Sequence, residues 1–232
     1  MSAATAGLDL NLAGARVRFT TCADGDLGLT EPAKPGPAVL ANRTRLLEHC
    51  GLRAVVAGHQ VHAARVAVVG EARPGYVVGP QPADGQATGL RGVGVAIHAA
   101  DCLPIALAGD GGVAMLHAGW RGLAGGVIAV GVRVLRELGV SGPIQAVIGP
   151  GAGGCCYETG PDVRDAFGGP DAPGEGRCVD LKEIARRQLS TAGVRRVHDV
   201  GICTLCAEPG LVFSHRRDGP AAGRHAGIAW LE

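Results

Sequence analysis

Aromatic residues are scarce in this chain of 232 residues: three Phe, two Trp and two Tyr make up only 3%. Its core must therefore be built from Val, Leu, Ile and Ala, which a hydrophobic content of 47% can supply. So few rings, a net charge of +1 and no basic block exclude nucleic acid as an expected partner, because stacking platforms and an electrostatic footprint are both missing. An unbroken apolar span is missing too. The apolar region 92–119 is interrupted by Asp101, Pro104 and Asp110, so it reads as several core strands and not as a membrane segment. The N-terminal MSAATAGLDL has neither the basic nor the apolar region of a secretory signal. The expectation is a soluble, cytoplasmic protein with no membrane partner, whose thiols stay reduced. Glycine is plentiful at 39 residues but follows no three-residue period, which excludes a collagen-like chain. No repeat or long linker divides the sequence, so one domain over 1–232 is expected.

What the chain does have is a Cys and a His at the ends of neighbouring apolar runs, in IHAADCLPIALAGDGGVAMLHAGWRG (residues 97–122). Runs of four to six apolar residues bounded by Gly, Asp and Pro read as buried strands. Adjacent strand ends would bring Cys102 and His117 together. Two chemistries fit such a pair: a zinc or copper site, or a Cys–His nucleophile. Adding His62 gives three soft or borderline ligands with a fourth position open, the arrangement of a catalytic zinc. The competing reading is a buried Cys with two hydrogen-bonded His residues. Asp101 would point away from a metal at the strand end, either orienting a ligand or moving protons, or serving only as a turn residue.

The remaining elements follow from periodicity. Residues 15–21 alternate as a strand, 22–28 form a turn, and 31–37 (EPAKPGP) a loop. A helix begins at Pro37 and stops at Gly51, carrying Asn42 and Arg43. Residues 54–61 and 65–69 read as one strand region with HQVH near its centre, and 82–88 (PADGQAT) as a loop. Leu123, Val127, Val130, Val134 and Leu138 lie on one face of a single helix, which puts Arg121 at a helix N-terminus suited to an anion. A strand over 144–148 leads into the glycine-rich loop 149–160, which lacks the Lys-Ser/Thr ending of a P-loop. Asp180 caps a helix through Leu189. Residues 194–200, 211–213 and 228–231 read as strands, and 214–219 (SHRRDG) as a polar loop, where Arg216 and Arg217 are either anion-binding forks or a solvated pair. Cys155-Cys156 and Cys203-x-x-Cys206 read as plain thiols, since adjacent Cys rarely pair and a lone C-x-x-C is weak for structural zinc. His49, His198 and His225 find no partner in the pattern.

Taken in order, HQVHAARV, AADCLPIAL, HAGWRGLAGG, IGPGAGGCCYETG, DLKEIARRQL and CTLCAEPGLVFSHRRDG with GRHAGIAWL resemble the YfiH/laccase-domain family over residues 18–231. ANRTRLL is similar to the family's upstream Asn-Arg helix. The resemblance implies an α/β (α+β type) single domain with mixed β-sheets flanked by helices, related in architecture to cytotoxic necrotizing factor toxins. It implies a zinc site on His62, Cys102 and His117, copper being possible. It also implies a purine nucleoside enzyme: phosphorolysis of adenosine, inosine, guanosine and methylthioadenosine, and adenosine deamination. Cys102, His117 and Asp101 would be catalytic, while Asn42, Gln60, Arg121, Glu158 and Arg217 would face nucleoside and phosphate. Two positions depart from the family. Cys22 replaces an Arg after Thr20-Thr21, and Gly151 stands where relatives carry a Cys outside the ligand set. Two other activities remain open. One is a copper-dependent polyphenol oxidase, disfavoured because eight His without any H-x-H pair cannot supply a multicopper centre. The other is a metal-free Cys–His hydrolase or amidase linked to proofreading of peptidoglycan precursors. A non-catalytic partner protein would also fit the departure at Cys22.

Overall fold

A computed structural model describes residues 7–28 and 35–232, and residues 31–34 of the loop expected over 31–37 lie outside them. Among the described residues, twelve strands form two six-stranded sheets. The first takes β1 (Leu8–Leu12), β2 (Ala15–Phe19), β3 (Ala54–His59), β5 (Gly75–Pro82), β7 (Val93–Ala99) and β12 (His225–Leu231), in the order β1-β2-β12-β7-β3-β5. The second takes β4 (Val66–Val68), β6 (Gly85–Thr88), β8 (Leu103–Gly109), β9 (Gly112–Ala118), β10 (Gln145–Ile148) and β11 (Arg196–Asp199), in the order β11-β10-β8-β9-β6-β4. Both are mixed: β3 runs parallel to β5 and β7, and β10 parallel to β11, while the other pairs at the centre of each sheet are antiparallel. The α/β fold with mixed sheets and flanking helices expected from the sequence is the fold observed.

The two sheets pack face to face, and helices cover their outer sides. Helix α1 (Pro37–Cys50) lies on the first sheet; α3 (Val127–Glu137) and α5 (Leu181–Thr191) lie on the second. The alternation of β8 shows why. Leu103, Ile105 and Leu107 point to the α3–α5 side, whereas Ala106 and Ala108 point between the sheets. Small residues at that inner face let the sheets approach closely, with Phe19 of β2 buried in the same layer. Asp180 caps α5 as expected, its side chain accepting from the Glu183 N–H at 3.0 Å.

Several local expectations are corrected. The single helix from Leu123 is two: α2 (Trp120–Ala124) ends before Gly125-Gly126, and Gly126 sits at φ 80°, which ends one helix and starts α3 in a new direction. The strand region around HQVH is also two strands, β3 and β4, in different sheets, and His62 sits in the link with φ 60°. Residues 85–88 of the supposed loop form β6, paired to β9 and β4. Residues 211–213 are a turn and not a strand, because the Leu211 and Val212 carbonyls accept from the Cys22 N–H and the Arg217 guanidinium. The segment after them is a one-turn helix, α6 (His215–Asp218), capped by the Ser214 hydroxyl. A short α4 (Pro161–Asp165) follows the glycine-rich loop. None of the helices among the described residues is long and apolar enough to cross a membrane.

Candidate metal centre and its cleft

Cys102 lies at the mouth of β8, His117 near the end of β9, and His62 in the β3–β4 link. Antiparallel pairing sets Leu103 opposite Ala118 and Pro104 opposite His117. That register brings the Cys and the His together, and the link folds His62 over them. Their donor atoms lie within 4.8 Å of one another. The two imidazoles meet edge to face, with ring centroids 4.8 Å apart. His117 is buried, Cys102 half-buried and His62 exposed, so the cluster is open on the His62 side.

Asp84 organises this cluster, and sequence reasoning passed over it as part of a loop. It is fully buried at the start of β6. One oxygen meets His117 Nδ1 at 2.9 Å, and the carboxylate accepts the backbone N–H groups of Val61, His62 and Ala63 at 3.2, 2.8 and 2.8 Å. Burial alone would raise its pKa, but His117 and these N–H donors hold it below the usual carboxylate range. With Nδ1 committed to Asp84, His117 presents Nε2 to Cys102 and His62, the carboxylate–histidine arrangement that orients metal ligands. A thiolate and two imidazoles match the soft-to-borderline donor set of zinc. Gly119 leaves room for it: a Cβ there would stand 2.8 Å from Cys102 Sγ and 3.4 Å from His62. Although burial opposes it, the His117 and His62 rings pull the Cys102 thiol down to about 6. His117, which burial would lower, is raised to about 9 by Cys102 and Asp84.

A cleft of about 470 Å³ opens over the cluster, within the range of small-molecule sites. Trp120, Tyr157 and His98 form part of its wall, and Arg121, Arg216 and Arg224 bring positive charge. The Arg121 guanidinium lies 4.3 Å from the Trp120 ring centre, and that of Arg216 lies 4.4 Å from Tyr157. Of the residues expected at the site, Gln60, Asp101 and Arg121 join His62, Cys102 and His117 on the cleft wall. Gln60 is committed to the backbone of His98, donating to its carbonyl at 2.8 Å and accepting its N–H at 2.7 Å. Asp101, at φ 101°, accepts from Thr204 Oγ1, Ser214 Oγ and the Arg216 N–H at 2.6, 2.7 and 2.8 Å. Three donors on one buried carboxylate are the geometry of a strut joining three loops.

Asn42, Glu158 and Arg217 do not line the cleft. Asn42 donates to the Asp26 carbonyl at 2.8 Å and ties α1 to that loop. Glu158 turns its carboxylate outward toward Arg177, 3.7 Å away. Arg217 is spent on Asp218 and on the carbonyls of Thr204 and Val212. Its neighbour Arg216 faces the cleft, which the dipeptide alone could not tell apart. Cys22 is also outside the lining, while Arg224, unremarked in the sequence, is within it. At Gly151 a Cβ would meet Leu103 Cδ2 at 2.4 Å, so a larger residue there needs the leucine tip to shift.

A two-sheet α/β fold with a His–Cys–His cluster at the foot of a cationic cleft defines a class of small-molecule site. The family profile described as multi-copper polyphenol oxidoreductase laccase matches residues 24–232, and the chain belongs to that family. It is 39% identical over 208 residues to a purine nucleoside phosphorylase of Xylella fastidiosa (strain 9a5c), covering 82% of this chain and 77% of that protein. It is 36% identical to the purine nucleoside phosphorylase PA4543 of Pseudomonas aeruginosa, covering 84% and 81%. The crystal structure of YlmD from Geobacillus stearothermophilus superposes with a TM-score of 0.85 at 31% identity, covering 100% of this chain and 98% of that one. That of Bacillus licheniformis YfiH gives 0.81 at 26%, covering 94% and 93%. Relatives so named support an enzyme of the nucleoside phosphorylase type.

Proposed function

We propose that this chain is a zinc-dependent purine nucleoside phosphorylase acting on adenosine, inosine, guanosine and methylthioadenosine, with adenosine deamination as a second activity of the same cleft. The observation that supports this most is the convergence of His62, Cys102 and His117 beneath a cleft edged by Arg121, Arg216 and Arg224. In phosphorolysis a phosphate oxygen bonds to ribose C1′ as the C1′–N9 bond breaks, and the electron pair leaves with the purine. The three arginines carry the charge that would bind phosphate and hold it for in-line attack. Trp120 and Tyr157 offer flat walls to a base. His62, Cys102 and His117 would hold the zinc, which when bound supplies Lewis acidity. Deamination needs a carboxylate free to pass protons. Asp101 is engaged by three donors and Glu158 lies outside the cleft, so phosphorolysis is the better supported of the two.

The copper oxidase reading finds less support. Among the described residues the converging His and Cys donors are this cluster and a group of four cysteines, and neither holds the paired histidines of a multicopper centre. The Cys–His hydrolase reading is favoured by one observation, the polarised Cys102–His117 pair. Zinc-loaded protein incubated with adenosine, with and without phosphate, tests the proposal by chromatography of the products. Adenine formed only with phosphate, and lost in Cys102→Ala, is expected. Inosine in both samples would mark deamination. Neither product above the variant's background would sink the purine reading. Alkylation of Cys102 unaffected by added zinc would then favour the thiol hydrolase.

A further inference from the structure

Four cysteines that look unrelated in sequence meet at one point. Cys155 and Cys156 lie in the glycine-rich loop after β10, and Cys203 and Cys206 in the loop after β11. Because β10 and β11 are parallel neighbours, both loops leave the same edge, joined by the bridge between Gly151 and Cys203. The four sulfurs lie within 4.8 Å of one another. The expectation of four plain thiols rested on a lone C-x-x-C, and the fold sets a second pair of cysteines beside it.

We propose that Cys155, Cys156, Cys203 and Cys206 form a structural zinc site, separate from the His62–Cys102–His117 cluster. Distance is the first argument. A zinc–sulfur bond of about 2.3 Å in a tetrahedron places sulfurs about 3.8 Å apart, and Cys155 Sγ and Cys206 Sγ are 3.7 Å apart. A disulfide would need about 2.05 Å. Backbone hydrogen bonding is the second argument. The Gly153 N–H points at Cys203 Sγ from 3.2 Å. Donors aimed at a sulfur stabilise it as a thiolate ligand. Gly153 permits this approach, because a Cβ there would stand 3.1 Å from Cys203 Cβ and 3.3 Å from its sulfur. Four soft donors and no oxygen or imidazole in the group select zinc over hard cations.

Position gives the site a purpose. Tyr157, next to Cys156, is on the cleft wall. Thr204, between Cys203 and Cys206, donates to Asp101, the neighbour of Cys102. A cation at the four sulfurs would pin the two loops that carry these residues, adding cross-links where the regular sheet has ended.

The test uses the full chain, purified under reductant and reconstituted with zinc. Cys102→Ala removes a ligand of the cleft cluster and leaves the four-cysteine group intact. That variant is expected to keep about one zinc per chain, with a zinc absorption-edge spectrum showing four sulfurs at about 2.3 Å. In the otherwise unaltered chain, Cys206→Ser should lose about half of the zinc and retain metal with nitrogen in its shell. The two losses are separable, so failure at the cleft would not count for or against this site. A folded Cys102→Ala protein with no zinc, zinc bound through nitrogen or oxygen only, an iron chromophore, or a Cys155–Cys206 disulfide in anaerobically purified protein would overturn the proposal.

Discussion

Asp84 bears a charge wholly shielded from water, and three backbone N–H groups and one imidazole converge on it. It fixes both histidines of the cluster at once, one through its ring and the other through the turn that carries it. An Asp84→Asn variant must direct an NH2 group at the two donors that one oxygen accepts, disrupting that pair of contacts and removing the charge that orients His117. Zinc affinity is expected to fall about 10–100-fold, the usual effect of removing such a partner, measured by competition with a chromophoric chelator; unchanged affinity would deny Asp84 that role. On the substrate side, Arg216 faces the cleft and Arg217 does not. Charge-assisted hydrogen bonds contribute about 1.5–3 kcal/mol, so Arg216→Ala should raise the KM for phosphate roughly 10–100-fold. The nucleoside KM is the internal control. Equal rises in both would mean that Arg216 shapes the cleft and does not bind the anion.

Where strands and their links cross, a single backbone approach decides the geometry. Gly58 on β3 passes so close to the other sheet that a Cβ would stand 2.4 Å from the Ala83 carbonyl, one residue before Asp84. Backbone cannot yield as a side-chain tip does. Gly58→Ala is therefore expected to cost about 1–3 kcal/mol, a fall of roughly 2–10 °C in Tm for a chain of this size, read by calorimetry. Zinc affinity should weaken with it, because the displaced segment carries Asp84; a stable variant with normal zinc binding would mean that the strands can separate freely. Elements with local signals were legible from sequence: Pro37 and Gly51 bound α1, and Asp180 caps α5. The break at Gly126 was hidden because the apolar spacing runs on across it. The strand β6 was hidden because PADGQAT looks like a turn, yet its residues are buried by pairing with β9. The convergence of His62, Cys102 and His117 was legible because each motif is distinctive. Asp84, Arg224 and the cysteine group were not, since only the pairing of distant strands reveals them.

At the scale of the whole molecule, helix, sheet, sheet and helix stack as four layers, and two histidines besides His117 are buried within the stack. His98 on β7 meets the Tyr76 hydroxyl at 2.8 Å, and burial followed by the charge of Arg43 pushes it down to about 3. His225 on β12 is pushed down to about 4, again chiefly by burial. In the unfolded chain both would titrate near 6.5. As pH falls below that value the unfolded state binds protons first, so stability is full above about pH 6.5 and is lost progressively toward pH 4. Each histidine contributes a slope of up to about 1.4 kcal/mol per pH unit in that window. Urea unfolding of the wild-type chain between pH 6 and 4.5, with a chelator present so that metal release adds nothing, should show stability falling steeply with acid. His225→Gln removes one titration and keeps a polar side chain of similar reach. Its overall stability will be lower, but its slope should be shallower than wild type by about 1.4 kcal/mol per pH unit. Parallel slopes would show that His225 can take its proton inside the folded stack, which its complete burial between the layers argues against.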